Sequence, residues 1–253
     1  MKPAISSFRF WLTTVRLHPL PLISLLLATL AGTYFRWHLI AAYYGHYFDM
    51  RSWEIVAPHT GPSIYLVTHR FSYPPLWAEV LHLLTKLHAH LDVPFTMVIK
   101  GFLLVVDLVT AAAIFAAFPS DRRRGAFAAA LFLLNPVSIM ATGYWGQFDN
   151  FAVMFLVIAA ALHHRQPESP PLLLIWILGS LSLSTKHITL FFVWMLFCCS
   201  TRSLLKACVM MAGALAVLAA TFIPYWEEAS SQIMSYVVNR FSYHSPSPLL
   251  TFS

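Results

Sequence analysis

An all-α integral membrane fold of about seven spanning helices is predicted by three features of this sequence. Of its 253 residues, 58% are hydrophobic and 10% charged, several long windows run almost free of charge, and the basic residues gather at the ends of those windows. A soluble domain carries about 25% charged residues, so water is not the main solvent of this chain. The stretches 20–34, 102–118, 125–144 and 207–224 are nearly uncharged, and about 20 such residues span a bilayer as a helix. Backbone groups in hydrocarbon have to be satisfied within their own segment, which makes these stretches helices. The net charge of +6 is distributed in the way that marks membrane topology, not nucleic-acid binding. Cys198, Cys199 and Cys208 sit in or beside apolar segments, and no disulfide framework is implied.

Lys2, Arg9 and Arg16 precede the first apolar run. They have the charge of a signal sequence, but the polar lead is long and the apolar run continues past the small residues at 28–31, so an uncleaved anchor with a cytoplasmic N-terminus is expected. The first span, about 17–37, then delivers the chain to the outer face. An outer loop of about 38–94 follows, and a second span, about 94–118, returns to Arg122, Arg123 and Arg124, which mark the cytoplasm. This parity makes the stretch 73–91 an amphipathic helix on the outer surface, opened by Pro74 and Pro75 and striped by Leu81, Leu84, Leu87 and Leu91; a tilted short span is the alternative. A third span runs to about 144, and a fourth leads from the outer turn YWGQFDN back to His163, His164 and Arg165. Spans over about 172–184 and 188–199 and a last one ending near 224 complete the set, with a polar outer segment at about 225–253. All four basic clusters then face the cytoplasm, and the whole chain, 1–253, reads as one transmembrane module without repeats or linkers.

With ten acidic residues in the chain, the outer ones stand out: Asp49 and Glu54 in HYFDMRSWE, and Asp149 in YWGQFDN. If 45–54 is helical, His46, Asp49 and Trp53 share a face, so a carboxylate is flanked by an imidazole and by an aromatic platform suited to a sugar ring. A positioned carboxylate base accelerates proton removal from a hydroxyl by about 10²- to 10⁴-fold; the bland alternatives are that Asp49 solvates a loop and that Asp149 caps the next helix. Arg36, Arg51, Arg70, Arg240 and Lys186, with His59, His69, His187 and His244, are expected on the same side as ligands for a phosphate. Lys186 lies at a helix junction, where it either serves a partner or snorkels to the interface. Lys100 and Asp107 are seven residues apart in one span and share a face, for pairing with each other or with neighbouring helices. His88/His90 and His163/His164 lack the further ligands of a zinc site, and no acid-x-acid pair, Walker loop or dinucleotide fingerprint occurs in the outer loops, so neither metal nor cofactor is expected.

These pieces resemble, by arrangement, the GT-C type polytopic membrane glycosyltransferases, mannosyltransferase-like enzymes that use polyprenyl-phosphate-linked sugars. Asp49 in YFDM matches the aspartate of the first outer loop; Tyr73, Pro74, Pro75 and Leu76 match the aromatic-proline element that opens the surface helix. The segment NPVSIMATGYWGQFDN supplies Asn135, Pro136, Gly146, Gln147 and Asp149 in the family's order, and GPSIYLVTHRFSYPPLW is similar to bacterial members. The resemblance covers most of the chain from about residue 35. It implies a seven-span module, a donor that is a polyprenyl-phosphate sugar, a glycan, lipid or protein acceptor, and transfer with inversion. It also implies that Asp49 acts as general base, that Asp149 positions acceptor or base, and that Lys186, Arg240 and His244 receive the leaving phosphate. His46, Arg51, Trp53, Arg70, Tyr73, Gln147 and His187 complete the expected substrate-binding set. A bacterial inner membrane is the implied location. Family members continue for several more spans, so a fragment, or a compact form without the variable C-terminal module, is expected. A non-catalytic subunit that binds lipid-linked sugar is the alternative function, and a transporter or flippase stands behind it.

Overall fold

The computed structural model describes residues 19–238, and every regular element among them is helical. Helix α1 (Pro19–Ala42) is followed by α2 (Tyr47–Val56), the single turn α3 (Ser63–Leu66) and α4 (Pro75–His88). Next come α5 (Phe95–Ala117), α6 (Arg122–Leu134), the turn α7 (Pro136–Ile139) and a π-helical turn, Met140–Trp145. The chain continues through α8 (Asp149–Arg165), α9 (Leu172–Thr185), a 3-10 turn at His187–Thr189, α10 (Leu190–Thr201), α11 (Leu204–Thr221) and α12 (Ile223–Ile233), closing on a second π-helical turn, Met234–Val238. Lys2, Arg9, Arg16, Arg240 and His244 lie outside the described residues.

Leu20–Ala42, Phe95–Ala117 and Leu204–Thr221 are each long and apolar enough to cross a membrane. Arg122–Leu134 with Pro136–Trp145 makes a fourth candidate if the pair, bent by 50°, counts as one span. The apolar helices Leu172–Thr185 and His187–Thr201 are shorter, and α8 has 17 residues, about 25 Å at the usual rise. By length and composition, three to four of the seven expected spans are therefore present among the described residues.

The expected span to about 144 bends at Asn135–Pro136, for a local reason. Pro136 has no N–H, and the Asn135 side chain ends α6 by accepting from the N–H of Val137 at 2.8 Å and of Ser138 at 3.4 Å. Val137 would otherwise bond the Leu133 carbonyl four residues back; that carbonyl instead accepts from Arg36 Nη1 at 2.6 Å.

Side-chain contacts sort the connections into two ends. The ring of Phe118, after α5, packs on His164 at 5.2 Å, and Arg202, after α10, forks onto Glu168 at 3.1 and 3.2 Å. The loops that carry three basic clusters thus share one end. At that end Asp121 opens α6 by accepting from the Arg124 N–H at 3.0 Å. Helices α2 and α4 and the turn before α8 lie at the other end, around an apolar cluster that includes Met50, Trp53, Trp77, Leu81, Phe148 and Tyr225. A second cluster, with Ile175, Leu183, Val193, Phe197 and Met211, joins α9, α10 and α11.

In α4, Pro74 is the N-cap and Pro75 the first residue, as expected. Of the expected leucine stripe, Leu81 and Leu84 are buried against the protein, Leu87 is exposed, and Leu91 lies beyond the helix. The helix ends at His88, so its last turn runs past the surface that covers the first two.

Candidate functional site

Two turns build the site. The first follows α1, where Gly45, with φ of 111°, reverses the chain and His46 becomes the N-cap of α2, so Asp49 stands in that helix's first turn. The second follows the π-helical turn, where Gly146 adopts φ of 70° and leads through Gln147 to Asp149, the first residue of α8. A backbone hydrogen bond from the His46 N–H to the Trp145 carbonyl, 2.8 Å, ties the turns together.

Asp49 is the point where they converge. Its carboxylate, 13% exposed, accepts from Gln147 Nε2 at 2.7 Å and from the Tyr73 hydroxyl at 3.4 Å, and it faces His46 Nδ1 at 3.0 Å. A carboxylate has about four lone-pair sites, more than these partners fill, which leaves room for an incoming hydroxyl. Tyr73 carries the site onward: the ammonium of Lys186 lies over its ring at 5.6 Å and over the ring of Phe148 at 5.0 Å. Lys186 pairs with the Asp149 carboxylate. It sits in extended backbone between α9 and the 3-10 turn, a junction that brings a mostly buried cation to the end of the bundle. Asp149 does not cap α8; Phe148 is the N-cap, and the carboxylate turns to Lys186 instead.

An apolar cavity of about 920 Å³ adjoins this group. Pro74 and His187, the chain neighbours of Tyr73 and Lys186, belong to its wall, as do Leu215, Phe222 and Trp226. The hydroxyl of Tyr225 donates to Glu79 at 2.7 Å, fastening α12 to α4; burial and that carboxylate push the Tyr225 phenol upward.

Several expected members are placed differently. Trp53 does not flank Asp49 as a platform: it is fully buried, edge-on to Trp77 at 5.2 Å and to Phe148 at 5.6 Å. One turn further along α2 than Asp49, its ring lies in the core and not at the site. Arg51 is exposed and pairs with Glu54 at 3.2 Å, beside the Tyr44 hydroxyl, which donates to the same carboxylate at 2.8 Å. Arg70 lies over the Phe48 ring at 4.9 Å. Arg36 is not part of the surface set; fully buried, it bonds Asp107 through Nε at 2.8 Å. Asp107 therefore pairs with a neighbouring helix and not with Lys100.

The buried network beneath the site includes residues with no prior assignment. Thr142 donates to Asp107 at 2.7 Å and Asn150 to the other oxygen at 2.8 Å, while Arg36 Nη2 reaches Ser138 at 2.8 Å. The legible signal was the set of polar residues Asn135, Ser138, Thr142, Gln147, Asp149 and Asn150 scattered through an otherwise apolar stretch that begins at an Asn-Pro break. Among the described residues no three His, Cys, Asp or Glu side chains gather as metal ligands. Comparison of the chain with protein-family models, with curated proteins and with solved structures finds no match.

Proposed function

We infer that this chain transfers a sugar from a polyprenyl-phosphate-linked donor to an acceptor hydroxyl at the outer face of a membrane, through a seven-span GT-C-like module. The observation that carries this reading is a mostly buried carboxylate, Asp49, held by Gln147 and Tyr73, whose ring lies under the Lys186 cation, beside an apolar cavity of about 920 Å³. A base, a cation and a greasy cavity in one place match a substrate with a hydroxyl nucleophile, a phosphate leaving group and an isoprenoid tail. The remaining spans of the seven are α8, α9 and α10, with α6 and α7 as one bent crossing.

In this reading Asp49 takes the proton of the acceptor hydroxyl as its oxygen attacks the anomeric carbon. The bond from that carbon to the phosphate oxygen breaks with inversion, and its electron pair leaves on polyprenyl phosphate. Lys186 neutralises that charge, with Asp149 holding the ammonium in place until the phosphate arrives. Gln147 and Tyr73 orient the base. Arg240 and His244 remain candidates for the phosphate by resemblance alone. A positioned base is worth about 10²- to 10⁴-fold, so membranes carrying Asp49→Asn should transfer radiolabelled sugar from polyprenyl-phosphate donors at least about 10²-fold more slowly than native membranes. Native transfer rates in a well-inserted Asp49→Asn chain would end the proposal. Retained donor binding without any transfer by the native chain would instead favour a subunit that binds lipid-linked sugar.

A further inference from the structure

We propose that Lys100 is a positioning residue for this transfer, holding the turn that carries Asp49 and the turn that carries Gln147 at their working separation; the inference rests on the glycosyltransferase reading. Lys100 is fully buried in α5 and has no carboxylate partner among the described residues. Asp107, on the same face, is already engaged by Arg36, Thr142 and Asn150. The Lys100 ammonium donates instead to two backbone carbonyls, that of Tyr43 at 2.5 Å and that of Gly143 at 3.1 Å. Tyr43 opens the turn that leads to His46 and Asp49; Gly143 lies in the π-helical turn that leads to Gly146 and Gln147.

The stem of the same side chain supports the second turn directly. A Cβ placed on Gly146 would meet Lys100 Cγ and Cδ at 3.0 and 3.1 Å. One side chain therefore touches both turns at points within six residues of Asp49 and four of Gln147. Burying an ammonium within a span is costly, and an apolar residue would fill the space. What the cation adds is a pair of strong, charge-assisted bonds across the gap that the Asp49–Gln147 hydrogen bond of 2.7 Å has to close. The fold expresses this in the reaction, because a misplacement of about 1 Å costs on the order of 10²-fold in rate.

The test uses the full chain in lipid nanodiscs, with Cys198, Cys199 and Cys208 replaced by serine and nitroxides attached through Tyr44→Cys and Trp145→Cys. The native Lys100 should give one narrow dipolar distribution between the labels. Lys100→Met should broaden or lengthen it and lower kcat by about 10- to 100-fold while the donor KM moves less than about threefold; Lys100→Arg should recover part of both. A purely structural role would show as lost folded protein without that split between kcat and KM. Native kcat in Lys100→Met, or a fall in kcat with an unchanged label distribution, overturns the proposal. A native chain without transfer sinks the glycosyltransferase reading separately, and the labels then decide whether Lys100 ties the turns.

Discussion

Replacing Arg36 with methionine keeps an unbranched, apolar stem and removes four hydrogen bonds at once: to Asp107 at 2.8 Å, to the Gly32 carbonyl at 3.1 Å, to the Leu133 carbonyl at 2.6 Å and to Ser138 at 2.8 Å. Both partners of the ion pair are fully buried, and breaking such a pair from one side costs about 3–5 kcal/mol because the remaining charge is stranded. Thr142 and Asn150 still donate to Asp107, which places the loss in the lower half, about 3–4 kcal/mol. At about 2–4 °C per kcal/mol for a chain of this size, Tm should fall by about 6–16 °C. The double variant Arg36→Met, Asp107→Leu should recover part of it, since an apolar replacement of a whole buried pair is often neutral. The residue is the orphaned Leu133 carbonyl, about 1–3 kcal/mol. Thermal unfolding of all four proteins in one detergent, read by helical signal, gives the cycle. A fall of less than about 2 °C for Arg36→Met, or a double variant worse than the sum of the singles, would refute the claim that this pair holds the broken span.

Two further outcomes follow from the same geometry. Gly146→Ala puts a side chain at φ of 70°, against Met50 and Lys100; the backbone cost alone is about 1–2 kcal/mol, and sugar transfer should fall further than stability does, which parallel Tm and kcat measurements will show. Tyr44 is pushed up to about 12 by desolvation and then by its hydrogen bond to Glu54. Because the folded value lies above the unfolded one of about 10, the linked stability is intact below pH 10 and is lost as pH rises through about 12. Tyr44→Phe should flatten that part of a stability-versus-pH curve, and an identical slope in the two proteins would contradict the assignment.

Much of this architecture is readable in one dimension, because a bilayer imposes a length and a polarity that no packing detail alters. The expected span at about 94–118 is the helix Phe95–Ala117, and the prolines at 74 and 75 open α4 where their missing N–H groups cost least. The candidate site was legible in part for a similar reason. Acidic residues are scarce in an apolar chain, and the structure brings Asp49, His46, Tyr73 and Gln147 together, with Asp149 and Lys186 alongside.

Periodicity names the face of a helix but not what covers that face. The three- and four-residue spacing that grouped His46, Asp49 and Trp53 holds in sequence, yet α2 starts after His46 and rolls Trp53 against Trp77 and Phe148, residues 24 and 95 positions away. Lys100 and Asp107 share a face as expected, but Asp107 meets Arg36, 71 residues distant, and Lys100 meets two carbonyls. The break at Asn135–Pro136 supplies the free carbonyl that Arg36 needs, so a local rule about proline and a distant cation settle one another only once the helices are packed. Hydropathy, charge placement and proline chemistry determined where the long apolar helices lie and how α4 opens, but not the short helices Ser63–Leu66 and Ile223–Ile233. Which polar side chains meet was decided by tertiary packing, because a buried charge takes whichever partner the neighbouring helices bring within hydrogen-bonding reach.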